Sequence, residues 1–119
     1  MFRHATGFKE IFICTGYTDL RKGIQGLATI IEKEFKRNPY EKNVLYLFCG
    51  RRTDRLKALL FEGDGFLLIY KRLESGQFVW PRSANEARRI NSQQYKWLMQ
   101  GYTIEKRSKI PDVKPARIA

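Results

Sequence analysis

Three arginines and a lysine stand close together in the run Cys49-Gly50-Arg51-Arg52-Thr53-Asp54-Arg55-Leu56-Lys57. A guanidinium fork donates to two phosphate oxygens at once, so several forks gathered at one turn suit a polyanion. Side chains alternate along a strand, which puts Arg55 and Lys57 on one face and turns Leu56 to the other. Arg51 and Arg52 belong to the preceding turn, and Lys71 and Arg72 on the neighbouring strand extend the patch. The alternative reading is a solvated edge whose cations are paired with Asp54, Glu62 and Asp64.

A second anion position is suggested by Thr15-Gly16-Tyr17-Thr18-Asp19-Leu20-Arg21-Lys22-Gly23. A strand-to-helix turn offers free backbone N–H groups and the positive end of a helix dipole. Arg21 and Lys22 are expected in the first turn of that helix, where cations are unfavourable unless an anion reverses the sign. The spacing is not that of a nucleotide-hydrolysing phosphate loop. Phe78-Val79-Trp80-Pro81-Arg82 could stack on a base or a sugar, or its Trp could close the core. His4 is the single histidine, so no histidine-dependent triad is expected. Asp54, Glu62 and Asp64 leave a metal-dependent nuclease as a third reading, although Glu62 and Asp64 flank a tight turn that needs no metal to explain it. No catalytic residue, metal ligand or cofactor is assigned.

The elements that must position these residues are legible in outline. Phe8 to Cys14 reads as a strand, and Leu20, Ile24, Leu27, Ile31 and Phe35 form a helical stripe. That predicts a helix from about Leu20 to Phe35, capped by Thr18 or Asp19 and ended by Asn38-Pro39. Val44 to Cys49 is apolar on both alternating faces and should be a central strand. Leu56 to Glu62 and Phe66 to Leu73 are strands joined through Glu62-Gly63-Asp64-Gly65, a hairpin signal. Gln77 to Trp80 is a short last strand. Asn91-Ser92 starts a second helix carrying Tyr95, Leu98 and Met99, with Gly101 placed to stop it. The fold class is α+β: a mostly antiparallel sheet in strand-helix-meander-helix order, with the helices packed on one face. Residues 1–103 form a single domain, and residues 104–119 a basic, flexible C-terminal tail.

The chain has 119 residues, 43% of them hydrophobic, and a formal net charge of +11. That suits one globular domain. Such excess charge destabilises the compact state by self-repulsion and has a use when the partner is anionic: nucleic acid, an acidic protein or a lipid surface. No apolar run approaches the ~18 residues of a membrane span, and the N-terminal stretch lacks the apolar core of a secretory signal. A cytoplasmic location is expected. Cys14 and Cys49 read as two buried reduced thiols, with a disulfide between neighbouring strands left open.

The stretch Cys14-Thr15-Gly16-Tyr17-Thr18-Asp19-Leu20-Arg21-Lys22-Gly23 is followed by Leu47 to Lys57. Gly63-Asp64-Gly65-Phe66, Tyr70-Lys71-Arg72-Leu73-Glu74, Gly76-Gln77-Phe78 and Trp80-Pro81 come next. In this order they resemble the TnpB-type accessory proteins of the insertion-sequence family sixty-six, products of that element's second open reading frame. The resemblance covers about residues 8 to 102, and it is not to the RNA-guided nuclease of the same name. Gly50 stands where the family usually has Asn, Thr53 where it has a third basic residue, and Ile104 where it has Trp.

The resemblance implies a small protein encoded beside a larger transposase that carries the acidic triad and the strand-transfer chemistry. The expectation is a non-catalytic accessory factor in transposition. Arg51, Arg52, Arg55, Lys57, Lys71 and Arg72, with Arg21 and Lys22, would contact DNA at the element ends. Docking on the transposase without direct DNA contact is the alternative. The oligomeric state is left open.

Overall fold

The computed structural model describes residues 7–83 and 85–105. In chain order the elements are β1 (Glu10–Cys14), α1 (Ile24–Lys33), β2 (Val44–Cys49), β3 (Arg55–Phe61), β4 (Phe66–Arg72), β5 (Ala87–Ile90) and α2 (Ser92–Met99). The strands form one sheet in the order β4-β3-β2-β1-β5. β2, with every residue buried, is the central strand that its unbroken apolar run predicts. Burial on both faces is what removes the usual polar alternation.

The topology is mixed. β1 and β2 are parallel, Ile11 facing Leu45 and Ile13 facing Leu47, so α1 is a crossover between them. From β2 the chain meanders: β2–β3 and β3–β4 are antiparallel, and the last pair runs in register from Arg55↔Arg72 to Phe61↔Phe66. Glu62 N–H donates to the Gly65 carbonyl at 2.8 Å, and Gly63 takes φ +101, the conformation for which glycine is suited there. Gln77 to Trp80 is not a strand. Phe78 N–H bonds to the Thr53 carbonyl, and the segment delivers Phe78 and Trp80 into the core instead. The fifth strand is β5, antiparallel to β1 at the far edge.

The expectation that both helices share a face is corrected. One core gathers Ile11, Ile13, Leu45, Leu47, Cys49, Leu56, Ala58 and Leu60 with Tyr95 and Leu98 of α2. The other gathers Phe12, Cys14, Val44, Tyr46, Phe48 and Leu59 with Leu27, Ala28 and Ile31 of α1. Odd and even positions of each strand diverge, so the helices cover opposite faces. Ile104 is buried on the α2 side. Most of the expected tail, from residue 106 on, lies outside the described residues.

Helix α1 is shorter than its apolar stripe. Asp19 accepts from the Arg21 N–H at 3.0 Å, and Lys22 N–H bonds to the Asp19 carbonyl, so these residues form a turn of their own. Gly23, extended, is the N-cap in place of Thr18 or Asp19. The helix ends before Asn38-Pro39, where Lys36 adopts φ 58 and Arg37 N–H reaches the Ile31 carbonyl, a left-handed C-terminal closure. α2 begins as its sequence predicts: Asn91 and Gln94 cap each other reciprocally.

Cys14 and Cys49 are free and buried, and they belong to cores on opposite faces of the sheet. A disulfide between them is therefore ruled out by strand alternation. Burial pushes the Cys49 thiol up to about 11, against the opposing pull of Arg82, and raises Cys14 well above the ordinary 9.0. Each thiol holds its proton more tightly folded than unfolded. For Cys49 that contribution to stability is complete below about pH 9 and is lost as pH rises from 9 towards 11. Neither thiol should react with a disulfide reagent at pH near 8 in the native protein, and both should after denaturation. Fast native labelling of either would contradict this burial.

Candidate functional site

The carboxyl ends of the parallel strands β1 and β2 lie side by side, and the loops that leave them form the walls of an open groove. Its volume is about 840 Å³, and it is lined by Tyr17 to Arg21, by Gly50 to Arg52, and by Arg55, Lys57, Leu68 and Tyr70. The floor is the part of the sheet's α1 face on β3 and β4 that α1 leaves uncovered. Crevices outside the carboxyl ends of parallel strands are a recurrent place for ligands, because there the loops diverge and leave room.

Each cation of the groove has a distinct setting. Arg21 forms a two-pronged pair with Asp19, its Nη2 2.9 Å from Oδ2, which holds the Asp19 carboxyl far below the usual carboxylate range. Arg55 Nε donates to Asp54 at 2.9 Å, and Arg52 approaches the same carboxylate at 3.9 Å. Lys57 Nζ donates to the Lys22 carbonyl at 2.9 Å, tying the β1–α1 loop to β3. Arg51 lies over the ring of Tyr17, 4.5 Å from its centroid. Among the described residues neither Arg51 nor Lys57 has a carboxylate partner. Five cations, Arg21, Arg51, Arg52, Arg55 and Lys57, thus line the groove, where Asp19 is the one lining carboxylate and Asp54 pairs with Arg55 and Arg52 from beside it.

The structure brings together most of the cations singled out in the sequence, but not all. Arg21 and Lys22 precede α1 instead of occupying its first turn, so the expected conflict with the helix dipole does not arise. Lys22 contributes its carbonyl and is not part of the lining. Lys71 faces Leu56 across the ladder, which turns it to the α2 side, away from the groove. Arg72 faces Arg55 on the groove side and stands outside the lining. Two guanidinium groups directly opposed across strands repel, and Asp54 offsets that by pairing with Arg55. Trp80 is a core residue: 5% exposed, its Nε1 donates to the Cys14 carbonyl at 3.0 Å.

Asp54 and the pair Glu62 and Asp64 sit at opposite ends of β3. At ~3.3 Å per residue they are on the order of 25 Å apart, so they do not converge on one metal ion. Among the described residues no group of three or more His, Cys, Asp or Glu side chains is placed to hold a metal, and no helix is long and apolar enough to cross a membrane.

Three groove-lining residues, Tyr17, Leu68 and Tyr70, have no role in the sequence reading, and Arg82 takes a role other than the stacking one considered there. Tyr70 could have been found by register, because the hairpin turn sets it opposite Lys57. Leu68, two residues before it on the same face and opposite Leu59, carries the same signal, and Tyr17 carries none. Arg82 is the most consequential. Its Nη1 donates to the Gly16 carbonyl and its Nη2 to the Gly50 carbonyl, each at 2.7 Å, and its guanidinium lies 4.2 Å from the centroid of Tyr17. One side chain thereby clasps both loops that wall the groove.

Comparison with known proteins comes to bear on this geometry. A family model described as IS66 Orf2 like protein matches residues 9–109. The uncharacterized protein y4hO of Sinorhizobium fredii is 38% identical over 92 residues, covering 77% of this chain and 79% of that protein. The uncharacterized protein y4jC of the same organism is 28% identical over 110 residues, covering 92% and 93% respectively. No solved structure matches.

Proposed function

Because the chain belongs to the family of IS66 Orf2-like proteins, we propose that it is a non-catalytic accessory factor in transposition of an insertion sequence, and that its basic groove binds DNA through the phosphate backbone. The observation that carries this reading is that Arg21 of the β1–α1 loop joins Arg51, Arg52, Arg55 and Lys57 of the β2–β3 turn and β3 on one groove, five cations against the two carboxylates, Asp19 and Asp54, that pair with Arg21, Arg52 and Arg55. Cations on surfaces without a partner would gain nothing from convergence, since their mutual repulsion raises the energy of the folded state. Contacts of this kind position a protein on the backbone and carry no sequence information of their own.

The test is a titration of the full chain across salt with element-end and unrelated DNA, single- and double-stranded. Affinity should fall steeply with salt. Replacing Arg51, Arg52 and Arg55 together with alanine should reduce the log–log salt slope by roughly 2–3, at about 0.9 for each duplex phosphate that is no longer neutralised. Absence of salt-sensitive binding to any of these DNAs would refute the reading. In that event, co-purification with the transposase after nuclease treatment would support docking on an acidic surface of that enzyme.

A further inference from the structure

Resting on the DNA-binding reading and deepening it, we infer that the groove takes single-stranded DNA, with bases stacked on its aromatic residues and phosphates held by its cations. A duplex presents phosphates on its outside and keeps the flat faces of its bases shut inside the stack. A site for duplex backbone needs only charge. This groove has more than charge: Leu20, Leu68, Tyr17 and Tyr70 share its lining with the cations. Tyr17 and Tyr70 are each 52% exposed, aromatic surface on a groove face whose cations match a polyanion, Tyr17 already stacked with Arg51 and Arg82.

The placement suits a strand with splayed bases. Tyr70 stands directly across the ladder from Lys57, and Arg55 lies one position further along the same face of β3. A base on the Tyr70 ring would therefore have its phosphates beside both cations. Tyr17 already bears the planar guanidinium of Arg51, and Arg82, anchored on Gly16 and Gly50, also packs on that ring. Such a stack accepts a base either on or in place of the exposed Arg51, since guanidinium planes and aromatic rings both stack on bases. A groove of about 840 Å³ falls in the range of ~300–1,000 Å³ that encloses whole small molecules, so it has room for unstacked nucleotides. Stacking tolerates any base, and the cations read none, so the binding is indifferent to sequence.

The deciding experiment measures anisotropy with three labelled probes of equal length: an oligothymidylate, an abasic strand with the same phosphates, and a duplex. The oligothymidylate should bind at least about tenfold more tightly than the abasic strand, given the usual worth of stacked bases. Tyr70→Ala should weaken oligothymidylate binding by about 5- to 150-fold and leave the abasic strand unaffected. Tyr70→Phe, which keeps the ring, should stay close to wild type. Tyr70 is half-exposed on an edge strand, and the comparison of probes on wild-type protein needs no variant at all. Equal affinity for oligothymidylate and abasic strand, or a Tyr70→Ala variant that binds oligothymidylate as wild type does, overturns the single-strand inference while DNA binding itself stands. Binding to none of the three probes overturns both.

Discussion

Replacing Trp80 with alanine should destabilise the protein more than any change in the groove, by about 4–8 kcal/mol. Deleting a buried aromatic side chain costs about 3–5 kcal/mol through lost transfer energy and the residual cavity. Trp80 meets that condition: it lies in the core on the α2 side, with Phe78 and Tyr95. Its indole N–H also satisfies the Cys14 carbonyl, and an orphaned buried acceptor adds about 1–3 kcal/mol. Domains of this kind are stable by only ~5–15 kcal/mol, so the alanine variant should be largely unfolded or melt far below wild type. Trp80→Phe is the milder comparison. It keeps one six-membered ring but loses the donor and the indole's second ring, and should cost less than alanine, about 2–4 kcal/mol. Urea unfolding followed by circular dichroism measures both. An alanine variant within about 1 kcal/mol of wild type would show that Trp80 is not a core lid.

Arg82→Ala should have the largest combined effect on stability and binding. The guanidinium makes two charge-assisted hydrogen bonds to carbonyls of different loops, both partly buried. Such bonds contribute about 1.5–3 kcal/mol each when fully shielded, and partial exposure reduces the expected loss to about 2–3 kcal/mol overall. Arg82→Lys should rescue little, because one ammonium cannot span both carbonyls in the geometry of a planar fork. The alanine variant should also weaken DNA binding, although Arg82 is not part of the groove lining. It acts by position: without it, the walls that carry Tyr17 and Arg51 lose their common anchor. Loss of stability with DNA affinity and salt slope unchanged would show that the clasp serves the fold alone.

Much of this architecture is legible in local chemistry. The unbroken apolar run of β2, the glycine-rich turn between β3 and β4, and the reciprocal cap of α2 are decided by neighbours a few residues apart. The arginine cluster is equally local, and the expected alternation of Arg55, Leu56 and Lys57 holds. The start of α1 failed for a physical reason. The apolar stripe beginning at Leu20 is real, but Leu20 packs from a turn, because Asp19 ties up its own turn and Gly23 carries the extended cap.

Composition and spacing by themselves determined that this is a basic α+β domain with a concentrated cationic cluster, and their order along the chain carried the family resemblance. Only the tertiary structure decided which cations meet. A one-residue step along β4 sends Lys71 to one face and Arg72 to the other. The parallel pairing of β1 with β2 brings two loop-forming strand ends together. It was likewise the fold that set the helices on opposite faces and left β3 and β4 open as a groove floor. The clasp of Arg82 joins Gly16 to Gly50 across the sheet's end, bridging residues far apart in the chain. Local propensities act over a few residues, whereas the face a side chain takes and the partners it meets are set by strand register and crossover, which follow from burying both sides of one sheet at once.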